Sequence, residues 1–206
     1  WREGVLYDRL GRGGADDPRE VSVDSLMQRY GIDAAQAARV EATALRLFDQ
    51  VAIDWALDGD DRRMLARAAR LHEIGLAIAH SGYHGHGAYI LEHSDIAGFS
   101  QQEQRVLAAL VRTHRRGIPK SAFDMIPDRL LANTRHVAAL LRLAVLLHRA
   151  HETDELPVLR LQADGERLQL ALAERWLRAR PLLRADLAGE PDDMLGLGVT
   201  LKLAAE

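Results

Sequence analysis

The chain has 206 residues, 48% hydrophobic and 28% charged, with a formal net charge of -3 and no cysteine. That is enough apolar content for one substantial core or two small ones, and it argues against disorder. The absence of cysteine excludes disulfides and thiolate chemistry, and the charge with only 5% aromatics argues against a surface that coats or stacks on nucleic acid. No apolar run in the bare sequence approaches the roughly 20 residues of a bilayer span. The start, Trp1-Arg2-Glu3-Gly4, resembles neither a signal peptide nor an initiation site, so the expectation is a soluble, cytoplasmic fragment with no membrane and no nucleic-acid partner.

The first twenty residues, with Gly11-Arg12-Gly13-Gly14 and Asp16-Asp17-Pro18, show no apolar period and read as a linker. A short helix should start near Val21, run through Leu26 and Met27, and stop near Gly31. Asp33 can cap a longer helix carrying Val40, Ala44, Leu47, Phe48 and Val51, with Gln36 facing inward one turn before Val40. A third helix is predicted over 61–79, where Leu65, Ala68, His72 and Leu76 form one stripe and place His72 on the buried side, with Glu73 about 100° around. In His80-Ser81-Gly82-Tyr83-His84-Gly85-His86-Gly87 glycine recurs too often for a regular helix, so a loop is predicted before a short helix through Ile90, Leu91 and His93.

Ser100 with Glu103 forms a capping box, and Val106, Leu107, Leu110 and Val111 carry that helix to Thr113-His114-Arg115-Arg116 and Gly117. From Asp128 a long helix presents Leu130, Leu131, Val137, Leu141, Val145 and His148 on one face. After Pro157 the period becomes two: Leu159, Leu161 and Ala163, a two-residue turn at Asp164-Gly165, then Leu168, Leu170 and Leu172. Pro181 suits a helix first turn, and Leu197, Val199, Leu201 and Leu203 alternate as a last strand. The expected fold is mainly α: a linker over 1–20, an all-helical bundle over 21–152, and a small β-β-α-β subdomain over 157–206.

Two groups of residues carry possible chemistry. Arg112, Arg115 and Arg116 with His114 and Lys120 form the densest positive run, suited to phosphate oxygens, although cations at a helix C-terminus are favourable without any ligand. The histidines His80, His84 and His86 could bind an anion, hold a metal or merely line a loop. His72 reads either as a buried histidine bonded to a backbone carbonyl or Glu73, or as a metal ligand.

Several segments in order resemble the C-terminal region of the exopolyphosphatase and guanosine pentaphosphate phosphohydrolase family. They are Arg2-Glu3-Gly4-Val5-Leu6-Tyr7, Leu71-His72-Glu73-Ile74-Gly75, His80-Ser81-Gly82-Tyr83-His84, Ala88-Tyr89-Ile90-Leu91 and Leu110-Val111-Arg112-Thr113-His114-Arg115-Arg116. The resemblance implies a parent protein with an N-terminal, magnesium-dependent ATPase-like module that removes terminal phosphate from polyphosphate or pppGpp and lies outside this chain. It implies that this part is an HD-type helical domain with a small α+β end, used to extend the polyphosphate-binding surface and to form a homodimer. Where an HD site holds its metal, this chain has His72 and Glu73 but Gln36 and Val145, a poor cage for a cation that requires nitrogen and oxygen ligands. The expectation is therefore a fragment with no catalytic residue, no metal and no cofactor of its own, binding polyphosphate or a similar polyanion and contacting its own catalytic module. Two alternatives remain open: an active HD-type metal-dependent phosphohydrolase acting on a nucleotide, and a pure dimerisation scaffold.

Overall fold

The computed structural model describes residues 17–151 and 155–205; the Arg2–Tyr7 segment and Gly11–Gly14 lie outside them. Helix α1, Pro18–Arg29, begins earlier than the predicted Val21 because Asp17 caps it and Pro18 occupies the first turn. Asp17 is also an anchor. Its buried carboxylate accepts from Arg19 Nε at 2.9 Å and from Arg67 Nη2 at 2.9 Å, while Glu20 takes Arg67 Nε and Arg70 Nη1, each at 2.7 Å. These pairs fix α1 to the helix Gly59–Leu71, and Arg19 Nη1 reaches Glu103 at 2.7 Å. The acidic stretch before Pro18 thus ends in a structural clamp.

Helix α2, Ala34–Val51, is capped by Asp33, and α3, Gly59–Leu71, by an Asp58–Asp61 capping box. The predicted third helix does not continue to Ala79. It ends at Leu71, His72 takes the C-cap, and a 3₁₀ turn over Ile74–Ala77 leads to α4, Tyr83–His93. Of the glycines expected to form a loop, Gly82 caps α4 in the left-handed region, φ 69°, while Gly85 and Gly87 lie inside the helix, and close packing explains Gly87 together with Gly75 of the 3₁₀ turn. A Cβ on Gly75 would overlap the Tyr83 carbonyl oxygen and come within 2.5 Å of Gly87 N, and one on Gly87 would meet Val111 Cγ1 at 2.9 Å. The glycines let the 3₁₀ turn and the segment carrying Val111 approach the α4 backbone. Gly75→Ala should therefore destabilise the fold by about 3 kcal/mol or more, since backbone cannot yield as a side chain can; urea unfolding of the variant measures it, and a loss below 1 kcal/mol would contradict this packing.

Helix α5, Gln101–Thr113, carries the Ser100–Glu103 capping box as predicted. After a 3₁₀ turn at Lys120–Phe123 comes α6, Asp128–Leu147, apolar almost all round its second half. By length and composition α6 could cross a bilayer, contrary to the reading of the bare sequence, but 67% of that stretch is buried inside the protein, as befits a central core helix.

The remainder is a three-stranded sheet with two helices. Strands β1, Arg160–Asp164, and β2, Arg167–Leu172, are antiparallel with Leu161 opposite Leu170, and β3, Thr200–Ala205, runs parallel to β2 with Leu201 opposite Leu168. The hairpin turn falls at Gly165-Glu166, one residue later than predicted, where Gly165 adopts φ 54°. Between β2 and β3 lie α7, Glu174–Arg178, and α8, Pro181–Met194. One hydrophobic core joins the sheet to the bundle, with Leu161, Leu168 and Leu170 in the same cluster as Leu47, Leu107 and Leu140. Polar contacts seal the seam: Trp55 Nε1 donates to Gly165 O at 2.8 Å, the Trp55 indole stacks on His136 at 4.2 Å, and Leu161 N donates to Gln50 Oε1 at 2.9 Å.

Candidate functional site

Helices α3 and α5 each end in a histidine that turns back on its own last turn. His72 Nδ1 meets Ala69 O at 2.7 Å and His114 Nδ1 meets Val111 O at 2.6 Å, so each Nδ1 donates and each neutral ring keeps its lone pair on Nε2. The two rings stand edge to face with centroids 5.4 Å apart, and Tyr83 lies 5.4 Å from His114 on another side. Burial drives His72 and His114 toward the neutral form, more strongly for His114, whose Nε2 is buried without a partner. Glu73 Oε1 lies 3.8 Å from His72 Nε2 but is engaged at 2.9 Å by His151 Nε2.

The residues suspected of forming a metal cage do not fit one. Both ends of the Gln36 amide are used: Nε2 donates to His148 O at 2.8 Å and Oε1 accepts from Arg39 Nη2 at 2.9 Å. Val145 is buried and offers no lone pair. Among the described residues no group of three or more His, Asp or Glu side chains converges as a metal site would require.

The positive run forms a real patch. Arg115 lies over the Tyr83 ring at 4.6 Å, and Arg112 crosses Gly85, where a Cβ would come within 2.9 Å of its Nη1. Arg116 is exposed in the left-handed region, φ 62°. None of the three is paired with a carboxylate among the described residues. Burial, then the charges of Arg112, Arg115, Arg116 and His86, pushes His84 down to about 4. Five of the predicted residues thus surround one region, with His114 beneath it. His80 and Lys120 are exposed, and no contact among the described residues links either to this patch.

The capping explanation for these arginines is met by a different residue. Arg142 Nη1 donates to Thr113 O at 2.6 Å and Arg116 O at 2.8 Å, satisfying carbonyls at the end of α5. Arg142 also binds Glu190 Oε1 at 2.6 Å through Nε, Glu190 Oε2 at 3.2 Å and Asp193 Oδ2 at 3.0 Å through Nη2. Solvent is the usual place for an arginine on a helix, yet Arg142 is 1% exposed. A signal existed, since every other residue from Val137 to Leu147 is apolar and a charge in such a run has no polar face to occupy. Arg149, by contrast, is an exposed residue paired with Asp186 at 2.7 Å. Between α5's end and α8 lies a cleft of about 390 Å³ whose lining includes His114, Arg115, Arg116, Arg149 and Val145.

Comparison with known proteins places these features in a family. Residues 19–191 match the model of the Ppx/GppA phosphatase, domain III. The chain is 36% identical over 201 residues, 96% of its length, to a guanosine-5'-triphosphate,3'-diphosphate pyrophosphatase of Pseudoalteromonas translucida (strain TAC 125). It is 36% identical over 190 residues, 92% of its length, to the protein of the same name from Pseudoalteromonas atlantica (strain T6c / ATCC BAA-1087). It spans 40% and 38% of those two relatives.

Proposed function

Because the chain belongs to the Ppx/GppA phosphatase family as its C-terminal domain III, we propose that it is the non-catalytic, polyanion-holding part of an exopolyphosphatase or guanosine pentaphosphate phosphohydrolase. The observation that carries this is the trio Arg112, Arg115 and Arg116 beside Tyr83 and His84, without a carboxylate partner among the described residues, in a protein whose buried arginines, Arg19, Arg67 and Arg142, all have one. Guanidinium groups not used as helix caps and not neutralised locally are available to phosphate oxygens. The name of the Pseudoalteromonas relatives extends the choice of polyanion to a guanosine polyphosphate. Hydrolysis, with magnesium, then belongs to a catalytic module that this domain docks, in a cytoplasmic homodimer. The bundle is read as HD-type, with Gln36 and Val145 marking lost ligand positions.

Incubated with polyphosphate and magnesium, the chain should release no phosphate yet retard the polymer at low salt. Changing Arg112, Arg115 and Arg116 together to alanine should reduce the slope of log K against log salt by about 2, since each phosphate contact releases about 0.7 counterion from a single-stranded polyanion. Steady phosphate release would overturn the non-catalytic role, and an unchanged slope would remove the arginines from it.

A further inference from the structure

The arginine cleft is lined on its other side by hydrogen-bond acceptors. Across from Arg115 and Arg116 stand Asp186, Glu190 and Asp193 of α8, held by Arg149 and Arg142. At the cleft also lies His114, 2% exposed, with Nδ1 committed to Val111 O and Nε2 without a partner among the described residues. That nitrogen is an acceptor and calls for a donor, because a buried polar atom left unpaired costs about 1–3 kcal/mol. An interior unit of a phosphate chain has only acceptor oxygens. It would satisfy the arginines but bring nothing to His114. A phosphate bearing a P–OH supplies both kinds of group.

We propose that this cleft recognises a hydrogenphosphate group, the end of a phosphate chain or free orthophosphate, with Arg115 and Arg116 donating to its oxygens and His114 Nε2 accepting its P–OH; this rests on the anion-holding role proposed above. Specificity then comes from a lone pair rather than from charge, which every unit of the chain shares.

Calorimetric titration of the 206-residue protein at low salt tests it with three probes: pyrophosphate, orthophosphate and cyclic trimetaphosphate. At neutral pH the ring carries a charge comparable to pyrophosphate but has no P–OH and no end. Pyrophosphate should bind about tenfold more tightly than the ring, the worth of one hydrogen bond with a charged partner. His114→Phe should remove that preference while leaving the ring's affinity within about twofold; the wild-type ratio decides even if that variant fails to fold. Orthophosphate binding as tightly as pyrophosphate would identify free phosphate as the occupant, and orthophosphate binding more than about tenfold weaker would identify the chain end. Equal affinity for pyrophosphate and the ring overturns the proposal while leaving the anion-holding role intact. Failure of all three probes to bind overturns both.

Discussion

Arg142→Ala should cost about 3–5 kcal/mol of stability, the usual consequence of removing one member of a buried ion pair. The arginine is 1% exposed and Glu190 only 4%, so its loss leaves a carboxylate out of contact with solvent and without its counter-charge. It also strips the Thr113 and Arg116 carbonyls of their donor. Burial pushes the Glu190 carboxyl up even with Arg142 beside it, so in the variant Glu190 should fold as the neutral acid and stability should improve as the pH is lowered toward that raised value. Paired replacement, Arg142→Met with Glu190→Gln, should recover part of the loss, because apolar or neutral substitutes need no partner charge. Urea denaturation of the two single variants and the double variant gives the coupling directly. A single-variant loss below 1 kcal/mol would mean that Arg142 is not the keystone the geometry makes it.

Acid should weaken the protein well before its carboxylates titrate as a class. His72, His84, His114 and His148 are all held below the ordinary imidazole value, first by burial in every case, and for His84 and His148 down to about 4. The unfolded chain takes up protons near pH 6.5, whereas the folded chain does not, so stability present above pH 6.5 is lost progressively as the pH falls toward 4. Glu41, Asp61 and Glu190, raised by burial, act in the opposite sense over their own ranges, but they are three groups whose ordinary values lie below the imidazole range, so their effect comes at lower pH. Asp17 and Glu103 have their carboxyls pushed up by burial and pulled further down by hydrogen bonds and arginine charges, so their contribution is lost only below the usual carboxylate range. The urea midpoint should therefore drop clearly between pH 7.5 and pH 5. His148→Gln, which removes a titrating ring bonded to Thr43 Oγ1 at 2.8 Å, should make that drop shallower. A midpoint constant across the interval would remove the buried imidazoles from the balance.

Periodicity and caps made most of the helices legible, because both are local. Asp33 and Ser100 announce α2 and α5 by residue type alone, and the alternation of Leu159, Leu161, Leu168 and Leu170 announces the hairpin. Apart from small shifts of an element's start or turn, the failures involve partners distant in sequence. Gly87 was read as part of a loop and Gly75 as an ordinary helix position, when their role is to let separate backbones touch, a fact invisible until Tyr83 and Val111 are brought alongside. Asp17 looked like the end of a linker because its arginine partner, Arg67, lies fifty residues on. The general preference of arginine for solvent gives no hint that Arg142 is buried, because its carboxylates come from α8, about fifty residues on, and meet the apolar half of α6. At the candidate site the positive run was readable as composition. Which of its members converge was not, since His80 and Lys120 sit at the same sequence distance as residues that do.

The indole wedged between the hairpin turn and the bundle gives the protein an optical gauge of its own assembly. Trp55 is 5% exposed, with its N–H on Gly165 and its ring flat against His136, so water reaches it only when the sheet lifts away. With Trp1 and Trp176 replaced by phenylalanine, emission from that one ring therefore reports on the contact between the hairpin turn and the bundle.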